Sequence, residues 1–119
     1  MTIYEFCVKE AQAYSDRDAF ISDLSLSTIW SDDTTDIPPE RIAMLGELYD
    51  AANMSIKDIS KASGLSVRAL ARRFVIPQRT AECWSSGENK FPLYTKLMML
   101  ECLGLFTPQK EWLATEIAK

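Results

Sequence analysis

Histidine is absent from this 119-residue chain, and with it go the commonest metal ligand and the most frequent general base. Glycine is scarce: there are four, and none stands in a phosphate-cradling loop or a nucleophile elbow. The three cysteines, Cys7, Cys83 and Cys102, are widely spaced, contain no CxxC and leave one over from any pairing. Neither a disulfide framework nor a usual zinc site is expected of them. No apolar run approaches the ~18 residues of a membrane span, and residues 1–5 lack the basic-then-apolar order of a signal peptide. A cytoplasmic protein without membrane contact is the expectation. No cysteine has a base nearby in sequence, and the carboxylates cluster at helix starts where they have structural reasons to be. An enzyme is therefore not expected, and no cofactor is implied.

What is present is enough apolar residue, 47%, for a core, patterned at helical spacing. The charge is unevenly spread. Residues 1–54 hold three basic against eleven acidic residues, a net −8, whereas residues 55–91 hold seven against three, a net +4. Residues 92–119 balance. A polyanion would be drawn to the middle of the chain and repelled by its beginning.

Read in order, the chain is all-α. Tyr4, Cys7, Val8 and Ala11 mark an amphipathic helix over about 3–14. Ser15 and Asp18 resemble a capping box, with Phe20, Ile21 and Leu24 facing a core. Residues 25–30 read as helix or loop with Ile29 and Trp30 as anchors. The polar 31–36 stretch, with Asp32, Asp33 and Asp36, reads as an exposed loop; it lacks the glycine and closing glutamate of a calcium loop, so no metal is expected there. Pro38, Pro39 and Glu40 open a helix that buries Ile42, Leu45, Leu48, Tyr49 and Ala52 and ends near Asn53. Ser55 and Asp58 form a second capping box, and Ile56, Ile59 and Ala62 turn inward.

Gly64 and Leu65 form a turn, and Ser66 caps a short helix that buries Val67, Leu70, Ala71 and Phe74. Pro77 fits the first position of another, about 77–86, which buries Ala81 and Trp84 and stops at Gly87. From Pro92 a strongly apolar helix runs through Leu93, Leu97, Met98, Leu100 and Leu103 to Gly104, and Thr107 and Pro108 cap and open a last one with Trp112, Leu113 and Ile117 as contacts.

Two short helices joined by a tight turn, the second polar on one face, are the plan of a helix-turn-helix. Leu70 and Ala71, the Ile76-to-Thr80 start of the second helix, Trp84 and the Gly87-to-Pro92 exit resemble the helix-turn-helix of the lambda-repressor-like DNA-binding family over roughly residues 55–105. The Ile-Pro-x-Arg-Thr start is also similar to that of small bacterial and prophage-type regulators. The chain is thus expected to hold an acidic helical segment at 1–54, packed on the same core or serving a partner, a DNA-binding domain at 55–106 and a C-terminal helix at 107–119.

Arginine grips guanine O6 and N7, and glutamine adenine N6 and N7, so Gln78 and Arg79, in the first turn of the reading helix, are the best base readers. Glu82 would accept from cytosine N4. The resemblance also implies a base contact at Cys83, and phosphate contacts at Ser66, Arg68, Thr80, Ser86, Asn89 and Lys90. Arg72 and Arg73 lie on the flanks of the first helix of the pair.

Four positions depart from the family pattern. The turn glycine is Val75, a residue that resists positive φ, so the turn should be built in another way or sit in an ordinary backbone region. The glutamine that often opens the first of the two helices is Val67, and an arginine–glutamate pair of the family is Ser60 and Ser85. The resemblance implies a sequence-specific regulator bound to double-stranded DNA as a homodimer. The alternative is a protein–protein interaction module, antitoxin-like or adaptor-like, that keeps the helix-turn-helix as scaffold and uses an acidic patch around Asp16, Asp18, Asp32, Asp33 and Asp36.

Overall fold

Thr2 starts the first helix: its hydroxyl accepts from the Glu5 N–H while the Glu5 carboxylate takes the Thr2 N–H, so two orphan donors are satisfied reciprocally. That hydrogen bond holds the Glu5 carboxyl below its ordinary value. The computed structural model describes residues 1–30 and 37–117. Among these, eight α-helices and no strand are formed: α1 Ile3–Ala13, α2 Arg17–Ser25, α3 Pro39–Ala52, α4 Ile56–Ser63, α5 Val67–Arg73, α6 Gln78–Ser86, α7 Leu93–Cys102 and α8 Lys110–Ala114. The acidic loop expected at 31–36 lies outside the described residues, so neither it nor the part of the acidic patch it carries is placed. None of the described helices is long and apolar enough to cross a membrane.

The chain divides into two compact units, one of residues 1–53 and 108–119, the other of 54–107. In the first, α1, α2 and α3 pack together and α8 packs on α1. Cys7, Val8, Ala11, Phe20, Leu24, Leu45 and Leu48 are buried, and Phe20 sits between the rings of Tyr14 and Tyr49, with centroids 5.6 and 5.3 Å away. The C-terminal residues join this unit through backbone bonds: Ile3 N–H donates to the Thr115 carbonyl and Ile117 N–H to that of Met1, each at 3.0 Å.

Several boundaries differ from the sequence reading, each for a local reason. The cap of α2 is Asp16, whose carboxylate accepts from Ala19 N–H, not Ser15 one residue earlier. Ile42 is 42% exposed, because α3 turns the later residues Leu45, Leu48, Ala51 and Ala52 to the core instead. Gly46 is buried beneath Arg17, which reaches on to Asp50 at 2.9 Å; a Cβ there would come 2.5 Å from the guanidinium. Thr107 and Pro108 do not open α8; Gln109 does, with Leu113 exposed and Trp112 buried.

Candidate nucleic-acid interface

In the second unit, α4, α5 and α6 pack against one another. Ser55 and Asp58 complete the capping box that starts α4, and the same hydrogen bond lowers the Asp58 carboxyl. Ile56 and Ile59 are buried as expected, but Ala62 is exposed, since α4 ends at Gly64, φ 76°, before that turn can be covered. Ser66 caps α5 by accepting from Ala69 N–H at 3.1 Å. Leu70 and Ala71 are buried behind it.

The α5–α6 connection is four residues, 74–77, and its geometry corrects the expectation for Val75. Val75 does adopt a positive φ, 54°. Ile76 N–H donates to Ala71 C=O at 2.8 Å and Val75 N–H to Arg72 C=O at 3.3 Å, the paired bonds with which a left-handed residue closes a helix. A branched side chain there is strained by about 1–2 kcal/mol, and the helix closure holds it in place. The chain then enters α6 at Gln78, with Pro77 as the cap position rather than the first helical residue.

All ten residues singled out for DNA lie on this unit. Gln78, Arg79 and Glu82 are exposed on α6, with Gln78 Nε2 donating to Glu82 Oε1 at 3.3 Å. Cys83 departs from them. It is buried, 7% exposed, and its thiol donates to Glu88 Oε2 at 3.4 Å, so it offers no surface to a thymine methyl. Burial first, and the Glu88 carboxylate next, raise that thiol and keep it protonated. Ser66, Arg68, Ser86, Asn89 and Lys90 are exposed at the ends of α5 and α6, and Thr80 is half-buried. The Ser66 hydroxyl already serves its own helix, and that of Ser86 donates to Cys83 C=O. Trp84, expected in the core, is half-buried against Phe91, ring centroids 4.8 Å apart.

Three further basic residues belong to this unit. Arg72 and Arg73 are exposed, the latter with its guanidinium carbon 5.5 Å from the Phe74 ring centre. Lys96 is buried in α7, its Nζ 5.4 Å from the Phe91 ring centre. Burial, then repulsion from Lys90, pulls its ammonium below the ordinary lysine value. Its place between Thr95 and Leu97 on an apolar helix was the one available signal. Residues 54–107 carry eight lysines and arginines against four acidic residues, a net +4; the other unit therefore carries −8 of the chain's −4.

The acidic unit has a feature of its own, a cleft of about 620 Å³ lined by Trp30, Arg41, Lys110, Glu111 and Trp112 among others. The tryptophan rings lie 5.3 Å apart, and Arg41 covers Trp30 at 4.3 Å. Among the described residues its basic and acidic side chains balance. Among the described residues no group of three or more cysteines and carboxylates is gathered to hold a metal ion. Comparison with protein-family models, with curated proteins and with solved structures finds no match to this chain.

Proposed function

We propose that this chain is a sequence-specific double-stranded DNA-binding regulator whose α6 reads the major groove, in the manner of the lambda-repressor-like family that residues 55–105 resemble. One observation carries the reading: Gln78 and Arg79 stand exposed in the first turn of a helix that follows a short turn, on the unit with net charge +4. A reading helix presents its N-terminal residues to base edges, and glutamine and arginine are the side chains that form paired hydrogen bonds there. Arg68, Asn89 and Lys90 are exposed at the helix ends and are suited to phosphates, which set register without reading sequence. The protein acts in the cytoplasm as a homodimer on two half-sites about one helical turn apart.

The second reading, a protein–protein interaction module, draws on the net −8 of the other unit and its tryptophan-lined cleft. Selection of the purified full chain against a random-sequence duplex library at two salt concentrations, with Arg79→Ala beside it, separates the two. Enrichment of a defined half-site that weakens with salt and is lost in the variant supports DNA reading. No enrichment at low salt contradicts it and favours the interaction module.

A further inference from the structure

α6 ends at Gly87, whose φ of 85° turns the chain back along the helix it has just left. The returning backbone is pinned: Asn89 N–H donates to Cys83 C=O at 3.2 Å, and Glu88 N–H to Ser86 Oγ at 3.4 Å. Glu88 is thereby laid over the face of α6 that carries Arg79 and Cys83, one turn apart. A single oxygen, Oε2, meets both side chains, Cys83 Sγ at 3.4 Å and Arg79 Nη2 at 3.8 Å. Cys83 is fixed by burial, so the carboxylate has one rigid partner; its contact with Arg79, whose side chain is 79% exposed, is an ion pair at 3.8 Å and not a hydrogen bond.

Resting on the DNA-reading proposal above, we infer that Glu88 is a specificity-determining residue: it positions Arg79 so that the donors facing away from the carboxylate are presented to a guanine edge. A guanidinium has five N–H groups in a planar fork, so drawing one Nη towards the carboxylate turns the opposite edge to O6 and N7. A long, exposed side chain oriented before binding has less freedom to lose when it docks. The same carboxylate repels phosphates, so Glu88 lowers affinity for DNA in general while it sharpens the choice of base. These two effects have opposite signs, which a purely structural group would not produce.

The test uses the full chain with two duplexes, the selected one and one with its guanine replaced. Wild type, Glu88→Gln, Glu88→Asp, Arg79→Ala and the Arg79→Ala/Glu88→Gln double variant are titrated on each. Glu88→Gln is expected to bind the replaced duplex about two- to fivefold more tightly, the scale of one exposed charge pair, while the ratio between duplexes falls by a similar factor. Glu88→Asp keeps the charge but not the reach, so it loses part of the ratio without gaining general affinity. In the Arg79→Ala background the Glu88 change leaves the ratio untouched. An unchanged ratio in both single Glu88 variants, with Arg79→Ala still reducing it, overturns the inference and leaves DNA reading standing. Parallel loss of both affinities together with helical circular dichroism also overturns it, by making Glu88 structural. A wild type that selects no sequence at low salt overturns both.

Discussion

The two units of this chain are both built from helices with the same capping chemistry but carry opposite charge. Residues 1–53 and 108–119 hold −8, an aromatic core around Phe20 and the longest helix, α3, of 14 residues. Residues 54–107 hold +4 in helices of seven to ten residues, two of them opened by serines and two closed directly on glycine. Such short helices are marginal alone and depend on packing and caps. A charge total of −4 conceals this division: a polyanion would be repelled by the first unit and attracted by the second.

The largest effects should come from opening each core. Phe20→Ala is expected to destabilise the first unit by about 3–5 kcal/mol, and Leu70→Ala the second by about 2–5 kcal/mol. Native-state thiol labelling reads the two separately, since Cys7 is fully buried in one and Cys83 buried in the other. The Cys7 thiol, pushed up to about 12 by burial and then by Glu10, should react only when its unit opens. Cys102, exposed on α7, should react first in every variant. Equal acceleration of Cys7 and Cys83 by either substitution would erase the distinction between units.

Next in size is the cap of α5. Ser66→Ala removes the acceptor for Ala69 N–H and is expected to cost about 1 kcal/mol, seen as a lower urea midpoint with faster Cys83 labelling and unchanged Cys7 labelling. Val75→Gly runs the other way. Relief of the positive φ should exceed the extra freedom glycine gives the unfolded chain, for a net gain of up to about 1 kcal/mol. Val75 is 88% exposed, so no buried contact is lost with it. An unchanged or lower midpoint would mean that the turn is not strained.

The smallest effect is a pH dependence. Lys96 releases its proton below the ordinary lysine value of 10.5 when folded, so the unfolded chain holds more protons in the alkaline range beneath that value. Stability of the basic unit should therefore rise with pH through this window. Urea titrations of the wild type and Lys96→Met across alkaline pH isolate the lysine: the rise is expected in the first and missing from the second. A rise of the same size in both would assign it elsewhere.

Features decided within a few residues were legible in the sequence. The Ser55–Asp58 box, the Ser66 cap and the stops at Gly64, Gly87 and Gly104 are local hydrogen-bonding and backbone preferences, and each is found at its residue. So is the exposure of Gln78 and Arg79, which follows from burial of Ala81 on the other side of α6. What escaped depends on longer range. Valine argues against a left-handed turn, yet the bonds from Val75 and Ile76 back into α5 outweigh its preference. Cys83 looks like a surface position until Gly87 folds Glu88 over it. The pairing of residues 115–117 with 1–3 has no motif, because any extended segment offers the same backbone groups.

The proposed meeting of DNA with the basic unit, through α6 and the ends of α5, is tested by amide chemical-shift mapping of the labelled full chain titrated with a mixed-sequence duplex at low salt. Perturbations are expected to centre on residues 66–69, 77–82 and 86–90 and to fade as salt is raised, with residues 1–53 unmoved. Perturbations centred on the acidic unit, or none at low salt, would rule the proposal out.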